Sequence, residues 1–268
     1  MSRNVLIFLD IDGTLIQENQ KPNTTRLPRV IKELSRKGFL FGLNSNRSIE
    51  DVLPIYTQFG LNGPLVLENG IYFKKSPQKK NFFIIPKPAR VHADLLRTVR
   101  QFAREHELAM TVVNADTVAA IPRSARTKGV VIMVNKFRLF TGSVHIYRNG
   151  VRDRKLAVQL ARFLRSQFRR THKNMEVEVT DVFGNIIMHP RGASKKKAFL
   201  RLKSYYPQYE FVMIGDDAAD ARTLKAVDYF FAVGNAVPEA KKVAAYTAKE
   251  SYTKGVIEIV RYLEDRIS

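Results

Sequence analysis

The stretch VLIFLDIDGTLI, residues 5–16, decides the architecture. Five apolar residues run straight into Asp10, and a second acid, Asp12, follows two places later. A short unbroken apolar run that ends in a turn signal reads as a strand covered on both faces, as in parallel sheets. In open parallel sheets ligands bind beyond the carboxyl ends of the strands, and Asp10 stands at such an end. Alternation puts Asp10 and Asp12 on one side of an extended chain. Two carboxylates held close repel each other, so a divalent cation is the natural neutraliser, and all-oxygen ligands suit Mg²⁺. Gly13 allows the sharp exit from the strand.

Outward from this stretch the pattern alternates. LPRVIKELSRKG (27–38) has apolar residues at 27, 30, 31 and 34 and is closed by Gly38, which predicts a helix. FLFGLNS (39–45) is the next strand, and SIEDVLPIYTQFG (48–60) is a helix expected to break near Pro54 and to stop at Gly60. PLVLENG (64–70) is a third strand with IYF as its hairpin partner. The end of the chain repeats the rhythm: SKKKAFLRLKSYY a helix, FVMIG a strand, DARTLKAV a helix, YFFAVG a strand, VPEAKKVAAY a helix, and GVIEIVRYLEDR a last helix. Strands alternating with helices predict a parallel sheet with helices on its faces, a Rossmann-like α/β core. Ser45 and Asp216 then also fall at strand ends, so three strands offer acid, hydroxyl and acid to one crevice.

The middle differs. KKSPQKKN (74–81) reads as a polar linker. FFIIP follows, then a helix over 92–106, short strands near 109–113, 130–135 and 144–147, a second helix over 152–168, and two closing strands, MEVEVT and NIIMHP. The expected organisation is a core in two parts, 1–79 and 190–268, with a mixed α/β domain inserted at 80–189.

Charge singles out the same middle segment. The chain carries 45 Lys and Arg against 25 Asp and Glu, a net +20. Residues 81–189 hold 19 basic and 8 acidic side chains, more than half of that excess. Such a balance favours anionic partners, whether phosphorylated metabolites, nucleic acid or acidic lipid; it also serves as a plain solvated surface. The chain has no Cys, which excludes disulfides and thiolate sites. It has no apolar run of the 18 or so residues that would span a membrane. MSRNVLIF shows no signal-peptide pattern, so a cytoplasmic protein is expected. The five histidines are scattered and read as structural or exposed.

Four short segments now fall into order. DIDGTL (10–15), NSNR (44–47), GASKKKAFL (192–200) and GDDAAD (215–220) resemble the four motifs of the haloacid dehalogenase-like superfamily of phosphatases and phosphomutases. LENG (67–70) and GNAVPEAKKVAAYTAKESYTKGV (234–256) resemble the branch with sugar phosphatases, sucrose-phosphatase-like enzymes and archaeal phosphoglycolate phosphatases, whose cap lies between the second and third motifs. The resemblance implies that Asp10 is a nucleophile forming an aspartyl phosphate and that Asp12 is the general acid and then base. It implies that Asp10, the backbone carbonyl of Asp12 and Asp216 hold Mg²⁺, and that Ser45 and Lys195 bind the phosphoryl group.

The same comparison marks departures. Asn44 and Asn46 stand where Ala and Gly are frequent, Lys196 where many relatives have Gly, and Ala219 where Asn is common. Arg47 matches an Arg common at its place, to be weighed against a surface salt bridge. Asp217 either compensates for Ala219 or is exposed, and Asp220 is either a ligand through water or an orienter of Lys195. In the inserted domain, ADTVAAIPRSARTKG (115–129) is a basic loop in which Arg123, Arg126 and Lys128 could grip a carboxylate or second phosphate of the substrate. The expected function is Mg²⁺-dependent hydrolysis of a small phosphorylated metabolite, a sugar phosphate or phosphoglycolate, by a monomer or homodimer. Its rivals are a trehalose-phosphate-phosphatase-like enzyme, to which the double Asp of GDDAAD points, and a phosphomutase. From another class come a nucleic-acid-binding protein and a nucleic-acid-end phosphatase, which the basic insertion would serve.

Overall fold

A computed structural model of the chain describes residues 4–17, 19–85, 88–113, 129–180 and 184–267. Along the first part run β1 (Asn4–Leu9), α1 (Leu27–Arg36), β2 (Leu40–Asn44), α2 (Ile49–Phe59), β3 (Leu65–Leu67), β4 (Tyr72–Lys74) and β5 (Phe82–Phe83). Then come α3 (His92–Glu105), β6 (Ala109–Val113), β7 (Val130–Asn135), β8 (Gly142–Arg148), β9 (Val151–Arg152), α4 (Arg154–Thr171), β10 (Met175–Val179) and β11 (Ile186–Pro190). The last part holds α5 (Lys195–Lys203), β12 (Tyr209–Gly215), α6 (Ala218–Ala221), β13 (Tyr229–Ala232), α7 (Pro238–Val243), β14 (Tyr246–Thr247) and α8 (Tyr252–Ile267). The chain divides into two compact units, Met1–Ile84 with Ser194–Ser268, and Ile85–Ala193.

The first unit is built on one sheet in the order β14-β13-β12-β1-β2-β3-β4-β5. All its pairs are parallel except β3 with β4 and β4 with β5. The apolar run of β1 lies at its centre, and Val5 to Leu9 are buried to within 1%. Phe8 meets Phe199 of α5 edge-on at 4.6 Å between ring centres. Leu9 pairs with both Ile214 and Leu43, so the three central strands end at the same level. That register brings Asp10, the Asn44–Ser45 pair and Asp216 to one edge. Helix α1 turns Leu27, Val30, Ile31 and Leu34 inward, as the spacing predicts.

Two local expectations are corrected. Helix α2 runs through Pro54 without breaking. Proline gives up one backbone bond there, but Val52, Ile55, Tyr56 and Phe59 are buried on both sides of it, and the Tyr56 hydroxyl donates to the Gly63 carbonyl at 3.0 Å. Residues 74–81 are not a linker between domains. They close a hairpin between β4 and β5, so Phe82 and Phe83 belong to the edge of the core sheet. Phe82 stacks on Phe73 at 5.0 Å and meets Tyr205 at a tilt at 5.2 Å, and Lys75 and Lys80 lie over its ring. The division between units therefore falls after Ile84 and after Ala193, later than the sequence division at 79/80 and 189/190.

The second unit is a mixed sheet in the order β10-β11-β8-β7-β6, with β9 paired to β8. Its pairs are antiparallel except β6 with β7. One face of the sheet, through Ile132, Val134, Val144, Ile146, Ile186 and Met188, packs against α3 and α4. These helices lie side by side in opposite directions. Phe102 packs on Phe163 at 5.5 Å, and His172, past the end of α4, bonds Asp94 in the first turn of α3 at 2.7 Å. Among the described residues no helix is long and apolar enough to cross a membrane.

Candidate active site

The edge where β1, β2 and β12 end collects the residues the motifs predicted. Asp10 is the first residue past β1, and its backbone N–H still donates to Ile214 of β12 at 3.0 Å. Its carboxylate lies 3.4 Å from the ammonium of Lys195, the first residue of α5. Lys195 also donates to Asp220 at 3.0 Å, and both it and Asp220 are buried. Thr14 donates to Asp216 at 2.9 Å. One oxygen each of Asp10, Asp216 and Asp220 lies within 4.8 Å of the others.

Two backbone features hold this cluster. Gly13 has φ +90°, and a Cβ there would stand 2.1 Å from a carboxylate oxygen of Asp216, so Asp216 and the first loop approach through the missing side chain. Asn235 pins that loop by donating to the Gly13 carbonyl at 2.8 Å while its own oxygen accepts from the Tyr252 N–H at 2.9 Å. On the other side, Glu68 and Asn69 take positive φ of 46° and 60°, a left-handed backbone that non-glycine residues rarely adopt. The turn they make delivers Gly70 against the backbone of Ser194 and Lys195, where a Cβ would come within 2.5 Å. The LENG segment thus seats the N-terminus of α5, and with it Lys195.

Electrostatics follow from this packing. Burial and then the neighbouring Asp220 charge push Asp10 well above the ordinary carboxyl range, against the pull of Lys195. Burial, followed by Asp220, raises Asp216 to about 8, with the Thr14 hydrogen bond opposing. Burial raises Asp220 to about 7, with Lys195 opposing. Burial also works against the Lys195 ammonium, but the Asp220 and Asp10 carboxylates outweigh it and hold its pKa above the ordinary value. Three acids and one lysine leave an excess of negative charge that only a cation or protons relieve. The donor set is all oxygen, and one oxygen of Asp220 is buried without a hydrogen-bond partner. These residues fit a hard divalent cation.

Asp12 stands apart from this cluster. Its carboxylate is held by Arg47, Nε to one oxygen at 2.9 Å and a terminal nitrogen to the other at 2.5 Å, and that nitrogen also reaches Gln20 at 2.7 Å. Arg47 is buried whereas Asp12 is 45% exposed, so this is a clamp on a reachable carboxylate and not a surface pair. The Ser45 hydroxyl accepts from the Arg47 N–H at 3.2 Å and keeps its own proton free to donate. Asp217 caps α6 by accepting from the Asp220 N–H at 2.8 Å, which fixes where Asp220 points. The Asn46 side-chain oxygen is buried without a partner. Asn44 brings its amide 3.5 Å from Asp220, a long contact. Arg123, Arg126 and Lys128 lie outside the described residues.

Sequence reasoning gave no role to Thr14, Gln20, Asn44, Glu68 or Asn235. Thr14 was legible in principle, as the last residue of D-x-D-G-T. Gln20 carries no local signal, because its partner Arg47 lies far along the chain; Asn235 falls in the GNAVPEAKK stretch, but its bond to the Gly13 carbonyl is not legible there.

The chain matches the haloacid dehalogenase-like hydrolase family over residues 7–260. It is 23% identical over 257 residues to a phosphoglycolate phosphatase of Sulfolobus acidocaldarius, covering 96% of this chain and 95% of that protein. A 55-residue stretch is 38% identical to a phosphoglycolate phosphatase of Methanosarcina mazei, covering 20% of this chain and 24% of that protein. The crystal structure of a haloacid dehalogenase-like hydrolase from Bacteroides thetaiotaomicron has the same fold, with a TM-score of 0.72 at 18% identity over 97% of this chain and 100% of that one. The four motifs, the parallel sheet that assembles them and the match along nearly the whole chain agree, and the protein belongs to the haloacid dehalogenase-like hydrolases.

Proposed function

We propose that the protein is a Mg²⁺-dependent phosphomonoesterase that acts on a small phosphorylated acid, phosphoglycolate or a metabolite of similar size, through an aspartyl phosphate on Asp10. The observation that carries this reading is the Asp10 carboxylate beside the buried Lys195, with Asp216 and Asp220 within 4.8 Å. The names of the two archaeal relatives support the substrate class.

Asp10 and Asp216, with the Asp12 carbonyl, would hold Mg²⁺, which when bound supplies positive charge beside the two anions that must meet. An oxygen of Asp10 attacks phosphorus and the bond to the leaving oxygen breaks. Asp12, reachable at the surface of the site, gives its proton to that oxygen. In the second half Asp12 takes a proton from water, which attacks the aspartyl phosphate and returns Asp10. Lys195 offsets charge on the transferring group, the term that dominates phosphoryl transfer. Ser45 donates to a phosphoryl oxygen. Arg47 holds the Asp12 carboxyl group in place through both steps by its two-bond fork.

The test is phosphate release from phosphoglycolate and a panel of sugar phosphates with Mg²⁺ present, joined to acid-quench trapping of phosphate on the enzyme. Release of inorganic phosphate with an acid-stable, hydroxylamine-sensitive adduct at Asp10 supports the proposal. A rearranged phosphate ester as product would make the enzyme a mutase. No turnover of any ester would overturn the reading.

A further inference from the structure

The two units differ in the kind of positive charge they carry. Residues 85–193 hold 15 Arg and 5 Lys, while the rest of the chain holds 9 Arg and 16 Lys. A general need for a soluble, basic surface would not separate the two residue types by unit. Arg presents a planar fork that fits phosphate oxygens in pairs, which Lys does not.

Much of this Arg stands on one helical layer. Helix α4 has 18 residues, six of them basic and none acidic. Helix α8 in the other unit, of 16 residues, has three basic and three acidic residues. On α3 and α4 the sides that face the sheet are apolar, and the sides turned away from it carry exposed Arg100, Arg104, Lys155, Arg162, Arg169 and Arg170. Among the described residues none of these six has a carboxylate within ion-pair distance. Arg97 is set aside because it pairs with Asp94, and Arg165 because it donates to the Val177 carbonyl at 2.9 and 2.8 Å. Arg100 with Arg104, and Arg165 with Arg169, are like charges four apart on one helix, a spacing that destabilises an isolated helix. A solvated helix would place Glu at those positions.

The two helices lie side by side, and packed helices stand about 8–10 Å apart. An 18-residue helix is roughly 27 Å long. The result is a double ridge of cations long enough to follow several nucleotides; its acids are confined to α3, where Asp94 is taken by Arg97 and His172 and Glu105 accepts from Gln101, and α4 has none. We propose that the helical face of the 85–193 unit binds the sugar–phosphate backbone of a nucleic acid, through Arg100, Arg104, Lys155, Arg162, Arg169 and Arg170, without reading sequence. This site is independent of the phosphomonoesterase reading and uses none of its residues.

The test uses the full chain and two fluorescently labelled probes of mixed sequence, a single-stranded RNA and a DNA duplex, followed by anisotropy at several salt concentrations. Six neutralised phosphates predict a slope of log K against log salt of about −5 for the duplex and about −4 for the single strand. Arg100→Gln, Arg104→Gln, Arg162→Gln and Arg169→Gln combined should reduce the duplex slope to about −2 and weaken binding at low salt at least tenfold. A control with the same loss of charge, Lys32→Gln, Lys225→Gln, Lys242→Gln and Lys254→Gln in the other unit, should keep the parent slope. Circular dichroism and melting checks that both variants fold. No binding at 50 mM salt overturns the proposal, and so does an equal loss in the two variants, which would mean that net charge alone is felt. Binding to phosphatidylserine vesicles with none to either nucleic acid overturns it in favour of a membrane surface.

Discussion

Replacing Asp10 by Asn should destroy activity and, without metal, stabilise the fold. The Asp10 carboxylate faces those of Asp216 and Asp220 within 4.8 Å and the Lys195 ammonium at 3.4 Å. At an effective dielectric of 20, each repulsion at that limit is about 3.5 kcal/mol and the attraction about 5 kcal/mol. The difference of roughly 2 kcal/mol opposes folding when all three acids are ionised, and burial of Asp10 adds to it with the same sign. An amide of equal size removes the charge and keeps the packing. In EDTA, at a pH alkaline enough to ionise all three acids, Asp10→Asn should therefore melt about 4–8 °C above the parent, at about 2–4 °C per kcal/mol for a domain of this size. With saturating Mg²⁺ the order should reverse, because only the parent keeps its full ligand set and gains the binding term. Turnover should fall on the order of 10³-fold or more, as when other covalent nucleophiles are removed. Calorimetry and a phosphate-release assay on the same preparations read both effects. A metal-free variant that melts at or below the parent would refute the electrostatic argument, and activity within tenfold of the parent would refute the nucleophile.

Four further outcomes are expected. EDTA should stop the reaction and Mg²⁺ restore it while Ca²⁺ does not, since Ca²⁺ takes a larger and looser oxygen shell; full activity in EDTA, with bound metal excluded by elemental analysis, would count against a metal role. The metal-free protein should lose melting temperature as pH rises from about 4 to about 8. Asp216 and Asp220, at about 8 and about 7 in the fold against 3.8 for an unperturbed Asp, bind more protons native than unfolded across that window. A flat or rising profile in EDTA would contradict the placement of these acids. Gly13→Ala should abolish Mg²⁺-dependent stabilisation, because its Cβ would meet Asp216 at 2.1 Å; an unchanged metal response by calorimetry would show that the loop yields freely. Arg47→Ala should lower kcat more than it raises KM, with Arg47→Lys recovering part of the loss, since Arg47 holds both oxygens of Asp12; a pure KM effect would assign Arg47 to substrate binding instead.

What the sequence revealed and what it hid divide along a physical line. Asp10, Ser45 and Asp216 were legible because each is the continuation of a buried apolar strand, and parallel pairing brings strand ends to one edge whatever the loops do. Lys195 was legible by its place after G-A-S, yet its setting was not: Ser194 caps α5 and Gly70, from a turn more than a hundred residues earlier, packs on the same backbone. The role of Arg47 was open in sequence because an arginine after a strand is ordinary; only its burial and its two bonds to Asp12 separate a clamp from a surface pair. For Asp217 and Asp220 the sequence left two roles each: Asp217 compensating for Ala219 or exposed, Asp220 a ligand through water or an orienter of Lys195. The four-residue helix α6 separates them, because a cap must stand at its start, which leaves Asp220 to turn inward onto Lys195. At Pro54 and in the 74–81 hairpin packing outweighs the local signal for a break or a linker: Val52, Ile55, Tyr56 and Phe59 are buried on both sides of the proline, and Phe82 packs on the distant Tyr205. Motif spacing thus locates the residues that meet at the strand ends, and the groups that hold them, Arg47, Asn235 and the strained Glu68–Asn69 turn, become visible only when the sheet has brought them together.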